Sequence, residues 1–103
     1  MSGETLVSLA DLRRAVSRVL DEVERQQGPV VVLGADYYWT IGPSDAFRFE
    51  AEAPQPTVGH LADDIQSMHD MLADREDHSI AAWHDLAHLI GILNGLAALD
   101  LKP

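Results

Sequence analysis

The chain has 103 residues, of which 47% are hydrophobic, and it contains no cysteine. This composition predicts one globular domain with a modest core, and it excludes disulfides, thiolate catalysis and cysteine metal sites. Seventeen acidic against seven basic residues give a formal charge of −10, which disfavours nucleic-acid phosphates and anionic lipid and favours a partner with a basic surface.

The N-terminal stretch MSGETLVSLADLRR has neither the basic start nor the apolar run of a signal peptide. No apolar run in the sequence is long enough to span a membrane. We therefore expect a cytoplasmic protein that does not associate with membranes, and the absence of cysteine agrees with this expectation.

The first helix is predicted over residues 9–27, after a candidate short strand in TLVSL. Ser8 is its N-cap with Asp11 three residues later, apolar residues follow at helical spacing, and Gly28-Pro29 ends it. The helix carries a cluster of three basic residues: Arg13, Arg14 and Arg18. A solvated face paired with neighbouring acids is the plain interpretation of this cluster, and contact with DNA is the alternative.

The stretch PVVVLGADYYWTIG predicts a β-hairpin over residues 30–41. A β-branched run comes first, Gly-Ala-Asp forms a tight turn, and an aromatic strand returns. Alternation places Tyr37 and Trp39 on one face, which we expect to be buried. Tyr38 faces the other way and is the expected exposed contact with a partner.

The second half of the chain is predicted to be helical. AFRFE is a candidate third strand, and residues 51–57 form a proline-containing linker. A helix over 58–76, capped by Thr57, and a second helix over 80–99 then form an antiparallel hairpin. The first of these helices carries three aspartates on its polar face as candidate partner contacts: Asp63, Asp70 and Asp74. The predicted fold class is α+β, in which the N-terminal helix packs on a small antiparallel sheet and the helical hairpin follows.

The last helix, within WHDLAHLIGILNGLAALD, contains two histidines four residues apart. His84 and His88 at this spacing can ligate one metal ion, with Asp85 as general base and a third ligand from elsewhere. The candidates for that third ligand are His60, His69 and His78. The stretch also resembles the phosphoacceptor helix of sensor histidine kinases. The plain interpretation is a pair of histidines hydrogen-bonded at the polar edge of a packed helix.

The same helix is apolar on nearly every side, which one small domain does not readily cover. We therefore expect a homodimer in which a glycine-containing stripe lets two helices approach closely. The predicted interface consists of six residues: Leu89, Gly91, Ile92, Gly95, Leu96 and Leu99.

Two resemblances accompany these patterns. The stretches ADYYW, VGHLADD and WHDLAHL resemble those of a group of small bacterial proteins without an assigned function, over about residues 5–100. Residues 5–41 resemble, in the order of their elements, the N-terminal module of Phd/YefM-type antitoxins. The second resemblance implies a dimeric DNA-binding unit built from a strand, a helix and a hairpin.

The sequence therefore predicts a non-catalytic protein that binds another protein, antitoxin- or immunity-like at its most specific, with no cofactor. The absence of a phosphate-binding glycine loop and of a nucleophile motif favours this prediction over catalysis. Two alternatives stay open. One is a metal-binding protein or metal-dependent hydrolase that uses His84, Asp85 and His88, and the other is a DNA-binding regulator that uses the N-terminal module.

Overall fold

The structure is a computed structural model that describes residues 5–50, 52–73 and 80–103. Its elements are α1 (Leu9–Gln27), β1 (Tyr37–Thr40), a short α2 (Pro43–Ala46), β2 (Thr57–His60), α3 (Leu61–Leu72) and α4 (Ala82–Ala97). A helix, a two-stranded antiparallel sheet and a packed pair of C-terminal helices confirm the α+β class. Within the described ranges, no helix combines the length and the apolar character needed to cross a membrane.

The chain divides into two compact units, one containing α1 and the C-terminal residues and the other spanning Leu33–Leu99. Helix α1 has the predicted bounds. At its start, the Ser8 side chain caps the first turn by accepting a hydrogen bond from the Asp11 N–H. The helix ends at Gly28, whose φ of 89° is a conformation that side chains disfavour. Lys102 is tied to this unit by two hydrogen bonds with the Gln26 side chain, at 2.8 and 3.0 Å.

The predicted hairpin over residues 30–41 is wrong. β1 pairs instead with β2, in a register that sets Tyr37 opposite His60 and Trp39 opposite Val58. Residues 30–33 form no strand. Strand propensity depends strongly on the available partner. The partner of β1 is Thr57–His60, which leads directly into α3, and not the valine-rich segment that the hairpin prediction assigned.

Several other boundaries also differ from the sequence prediction. Residues 5–8 and 47–50 form no strand. Thr57 does not cap a helix, because Thr57–His60 is strand β2 and the helix begins at Leu61. This helix ends at Leu72, and the predicted continuation to 76 extends outside the described residues. The last helix is shorter at both ends than the predicted 80–99, at Ala82–Ala97.

The α3–α4 pair forms the best-packed part of the second unit. Leu61, at the start of α3, is buried, and its methyl groups lie 3.5 and 3.7 Å from where a Cβ on Gly95 of α4 would stand. Two carboxylates, Asp64 and Asp85, are also buried. A buried charge needs hydrogen-bond partners, so both carboxylates have to be bound by polar groups of the chain.

Candidate functional site

Four polar side chains from β1, α3 and α4 form one hydrogen-bonded chain, which we call the Asp64 cluster: Tyr38, Asp64, His88 and His84. The Tyr38 hydroxyl donates to Asp64 Oδ2 at 2.5 Å, and Asp64 Oδ1 lies 2.7 Å from His88 Nδ1. His88 Nε2 then lies 3.2 Å from His84 Nε2. Asp64 is only 3% exposed, so both of its oxygens are satisfied by the protein and not by solvent.

Two glycines make room for the Asp64 cluster. A Cβ on Gly59 would lie 2.2 Å from the Tyr38 ring. A Cβ on Gly91 would lie 2.2 Å from both Asp64 Oδ2 and the Tyr38 hydroxyl oxygen. Any larger residue at Gly91 therefore collides with the hydrogen bond at the centre of the cluster.

The donor and acceptor roles in the Asp64 cluster follow from the chemistry of its members. Burial raises the pKa of Tyr38 to about 12, and the hydrogen bond to Asp64 and the charge of that carboxylate add to the shift. Tyr38 therefore remains a hydrogen-bond donor at neutral pH. An ionised Asp64 can only accept, so His88 carries its proton on Nδ1 and, when neutral, presents a lone pair at Nε2.

A second polar group lies at the start of α3, where Asp36 acts as a cap supplied from outside the helix. Asp36 Oδ1 accepts from the Ala62 N–H at 2.9 Å, and Asp36 Oδ2 lies 2.8 Å from His60 Nε2. His60 Nδ1 lies 3.2 Å from Asp63 Oδ2, and the His60 ring stacks on Tyr37. The hydrogen bond with Asp63 raises the pKa of His60, and Asp36 adds to this effect. The arrangement anchors β1 to α3.

The predicted faces of the aromatic strand are reversed in the structure. Tyr37 and Trp39 are 69% and 74% exposed, whereas Tyr38 is half-buried in the Asp64 cluster. The period of two was right, but it does not say which face is covered. The Tyr38 side chain passes over Gly59 of β2 and reaches Asp64 on α3. The face of β1 that carries Tyr38 is therefore the covered one.

The predicted metal residues are only partly brought together. His84 and His88 are neighbours, but Asp85 Oδ2 accepts from the Ala81 N–H at 3.1 Å and so helps to cap α4. The carboxylate beside the histidines is Asp64 and not Asp85. Among the described residues, no group of three or more metal-ligating side chains is present, so neither His60 nor His69 completes a set. His78 lies outside the described residues.

The two glycines of the predicted dimer interface pack against side chains of the same chain. Gly91 is buried against Asp64 and Tyr38 of the same chain, and Gly95 faces Leu33 and Leu61. The remaining predicted positions are half-buried: Leu89, Ile92, Leu96 and Leu99. The two glycines therefore serve packing within the chain, and the use of the other four positions in a dimer stays a prediction.

The exposed side of α4 is formed by other residues. We call this strip the α4 outer face: Trp83, Leu86, Ile90 and Leu93. Exposure falls from 78% at Trp83 to 41% at Leu93, and the strip contains no charged residue. An exposed apolar strip of this kind is a typical interaction surface.

The predicted charged contacts lie at the surface where they are described. Asp63 and Asp70 are exposed, with Asp63 bound to His60 and Asp70 accepting from Gln66 at 3.2 Å, and Asp74 lies outside the described residues. On α1, Arg14 forms an ion pair with Asp11, as the plain interpretation of the basic cluster expects. The other two members of that cluster, Arg13 and Arg18, are exposed.

A cleft of about 400 Å³ opens between residues 33–35, β1 and α4. Its walls include Leu33, Trp39, Leu61 and Leu99, with Asn94 as a polar group. Among the described residues, no carboxylate or imidazole lines it. The cleft can hold an apolar group, but it does not gather the acids and bases of a catalytic site.

Sequence reasoning missed Asp64 and Asp36. The signal for Asp64 was available, because this acid falls beside Leu61 on the apolar side of the helical wheel of α3. Asp36 gave no such signal, since its role depends on a helix that begins 25 residues later. No family model, curated protein or solved structure matches this chain.

Proposed function

We propose that the protein is a non-catalytic binding protein that forms a homodimer through the α4 outer face. The exposure of Trp83, Leu86, Ile90 and Leu93 along one side of one helix carries this proposal. Large contiguous apolar patches on a protein surface often mark interaction sites, and tryptophan is enriched among the residues that dominate binding energies.

The spacing of the four residues along α4 favours a helix as the element that packs against the strip. The four positions are separated by three, four and three residues, which is the a/d pattern of helices that pack along a common seam. A second copy of the chain supplies the same pattern, and two-fold symmetry brings the same surface of each copy into contact.

Charge favours a second copy over a basic partner at this surface. Asp85 is the only charged residue between Ala82 and Ala97, and it is buried at the start of the helix. Two chains of net charge −10 can therefore meet here without placing like charges in the contact. A basic protein would find no acidic residue to pair with on the strip.

The acidic surface supports a finer version of the proposal, in which each protomer also binds a basic protein in the manner of an antitoxin or immunity protein. Asp63 and Asp70 are exposed on α3, outside the α4 outer face. In this version of the proposal, self-association uses α4 and binding of a basic partner uses α3.

Light scattering on the purified chain tests the dimer. We expect a mass twice the 11.3 kDa of one chain at micromolar concentration. The double variant Leu86→Lys with Leu93→Lys should be monomeric, because it places like charges and buried cations in the seam. Gln66→Lys is the control for the effect of an added lysine, since it places one at an exposed position on α3, away from the strip.

Circular dichroism must show the native helix content in each variant. A wild-type mass of 11.3 kDa would refute the proposal. A dimer that survives both lysine substitutions in a folded protein would refute the assignment of the interface to the α4 outer face.

A further inference from the structure

The two histidines of the Asp64 cluster have the separation of two ligands of one metal ion. Their Nε2 atoms are 3.2 Å apart. A tetrahedral ion with bonds of about 2.0–2.1 Å to imidazole nitrogen holds two such nitrogens roughly 3.3 Å apart. The ring planes are 86° apart, and His84 is exposed, so its ring is free to turn its lone pair toward an ion held by His88.

The protein already orients one of the two ligands. Asp64 accepts from His88 Nδ1, and this fixes the tautomer in which Nε2 is the coordinating atom. Carboxylates behind metal-bound histidines hold the ring in place and make it more basic. Tyr38 fixes the carboxylate in turn, and Gly91 leaves the space in which both lie.

We infer that His84 and His88 bind a divalent metal ion of the zinc, copper or nickel class, with Asp64 as the residue that positions His88. Neutral imidazole nitrogens suit these ions, whereas magnesium and calcium prefer oxygen ligands. In the absence of metal, His84 donates its Nε2 proton to His88. Binding moves that proton to Nδ1 of His84, and the inference does not depend on the proposed dimer.

The described residues supply two ligands, so solvent or a group from another molecule fills the remaining positions. A site with open positions is weaker and more exchangeable than a structural zinc site with four protein ligands. It can be empty after purification and still fill when the metal is added. The site therefore differs from the hydrolase arrangement that the sequence suggested, since Asp85 has no part in it.

Calorimetric titration of the tag-free chain with zinc chloride at pH 7 tests the inference. We expect one ion per chain, with affinity lowered at least tenfold by His84→Ala and by His88→Ala. Asp64→Asn should weaken binding roughly ten- to hundredfold through the orientation of His88. His69→Ala is the matched control, because it removes an exposed histidine of α3 and should leave the affinity unchanged.

His84→Ala decides the outcome if the variants of His88 or buried Asp64 fail to fold, since His84 is exposed. Cobalt(II) provides a second readout, because its visible absorption reports ligand geometry. Wild-type protein that takes up no zinc in the millimolar range would overturn the inference. Zinc binding that is equally strong in folded His84→Ala would overturn it as well.

Discussion

Replacing Gly91 with alanine tests whether the Asp64 cluster is a rigid part of the fold. The new Cβ would stand 2.2 Å from Asp64 Oδ2, 2.2 Å from the Tyr38 hydroxyl oxygen and 3.0 Å from Asp64 Cγ. These distances are far below contact distances, so the methyl group has to separate Tyr38 from Asp64. The substitution thus breaks a buried hydrogen bond without changing any polar residue.

The expected magnitude follows from two opposing effects. Alanine in the interior of a helix is usually more stabilising than glycine by roughly 1 kcal/mol. Leaving a buried acceptor without its donor costs about 1–3 kcal/mol, and more when the acceptor is charged. The displaced side chains also lose their packing. We therefore expect Gly91→Ala to lower the free energy of unfolding by about 1–3 kcal/mol.

Gly95→Ala is the matched control, one turn further along α4. Its new Cβ would meet Leu33 Cδ1 at 3.2 Å, the end of a flexible side chain, and would make ordinary contacts with Leu61. Helix propensity should dominate there, so this variant should be as stable as the wild type or more stable by up to about 1 kcal/mol. Thermal unfolding at one protein concentration separates the two variants, at about 4–8 °C per kcal/mol.

A double-mutant cycle links the loss of stability to the hydrogen bond. Tyr38→Phe removes the hydroxyl that Gly91→Ala displaces, so the glycine substitution should cost less in the Tyr38→Phe background. If Gly91→Ala and Gly95→Ala unfold at the same temperature, the close packing around Asp64 is refuted. Additive effects of Gly91→Ala and Tyr38→Phe would show that the two residues do not act on one contact.

Three further predictions concern the polar groups. Asp36→Ala removes the cap of α3 and should lower the free energy of unfolding in urea by about 1–2 kcal/mol, whereas Asp36→Asn should lose less. The pKa of His60, followed by NMR, should exceed 6.5 and fall in Asp63→Asn, and an unchanged value would contradict the hydrogen bond. The pKa of His60 is higher in the folded than in the unfolded protein, so protonated His60 stabilises the fold. This contribution is complete below pH 6.5 and is lost as the pH rises through the pKa of the folded state. Absorbance titration should show Tyr38 ionising near pH 12, and at a lower pH in Asp64→Asn. Since the unfolded phenol ionises near pH 10, stability should fall between pH 10 and 12, and a constant stability there would argue against a buried phenol.

The sequence by itself determined α1, the existence of a helical pair and the fold class. Ser8 and Gly28 mark the ends of α1 because helix caps depend on hydrogen bonds between residues at most a few positions apart. The periodicity of apolar residues in the second half likewise predicted α3 and α4. The observed α3 begins three residues later than predicted, because residues 58–60 belong to β2.

Only the tertiary structure decided which strand pairs with β1, which of its faces is covered and which residues share the polar site. Tyr37–Thr40 fits several partners equally well by its own composition, and the strand that precedes α3 became the partner. Alternation defined two faces of β1, but the burial of Tyr38 required Gly59 opposite it and Asp64 beyond. The histidines four residues apart were visible in the sequence. The carboxylate that orients His88 comes from another helix 24 residues earlier, and no local rule connects positions so far apart.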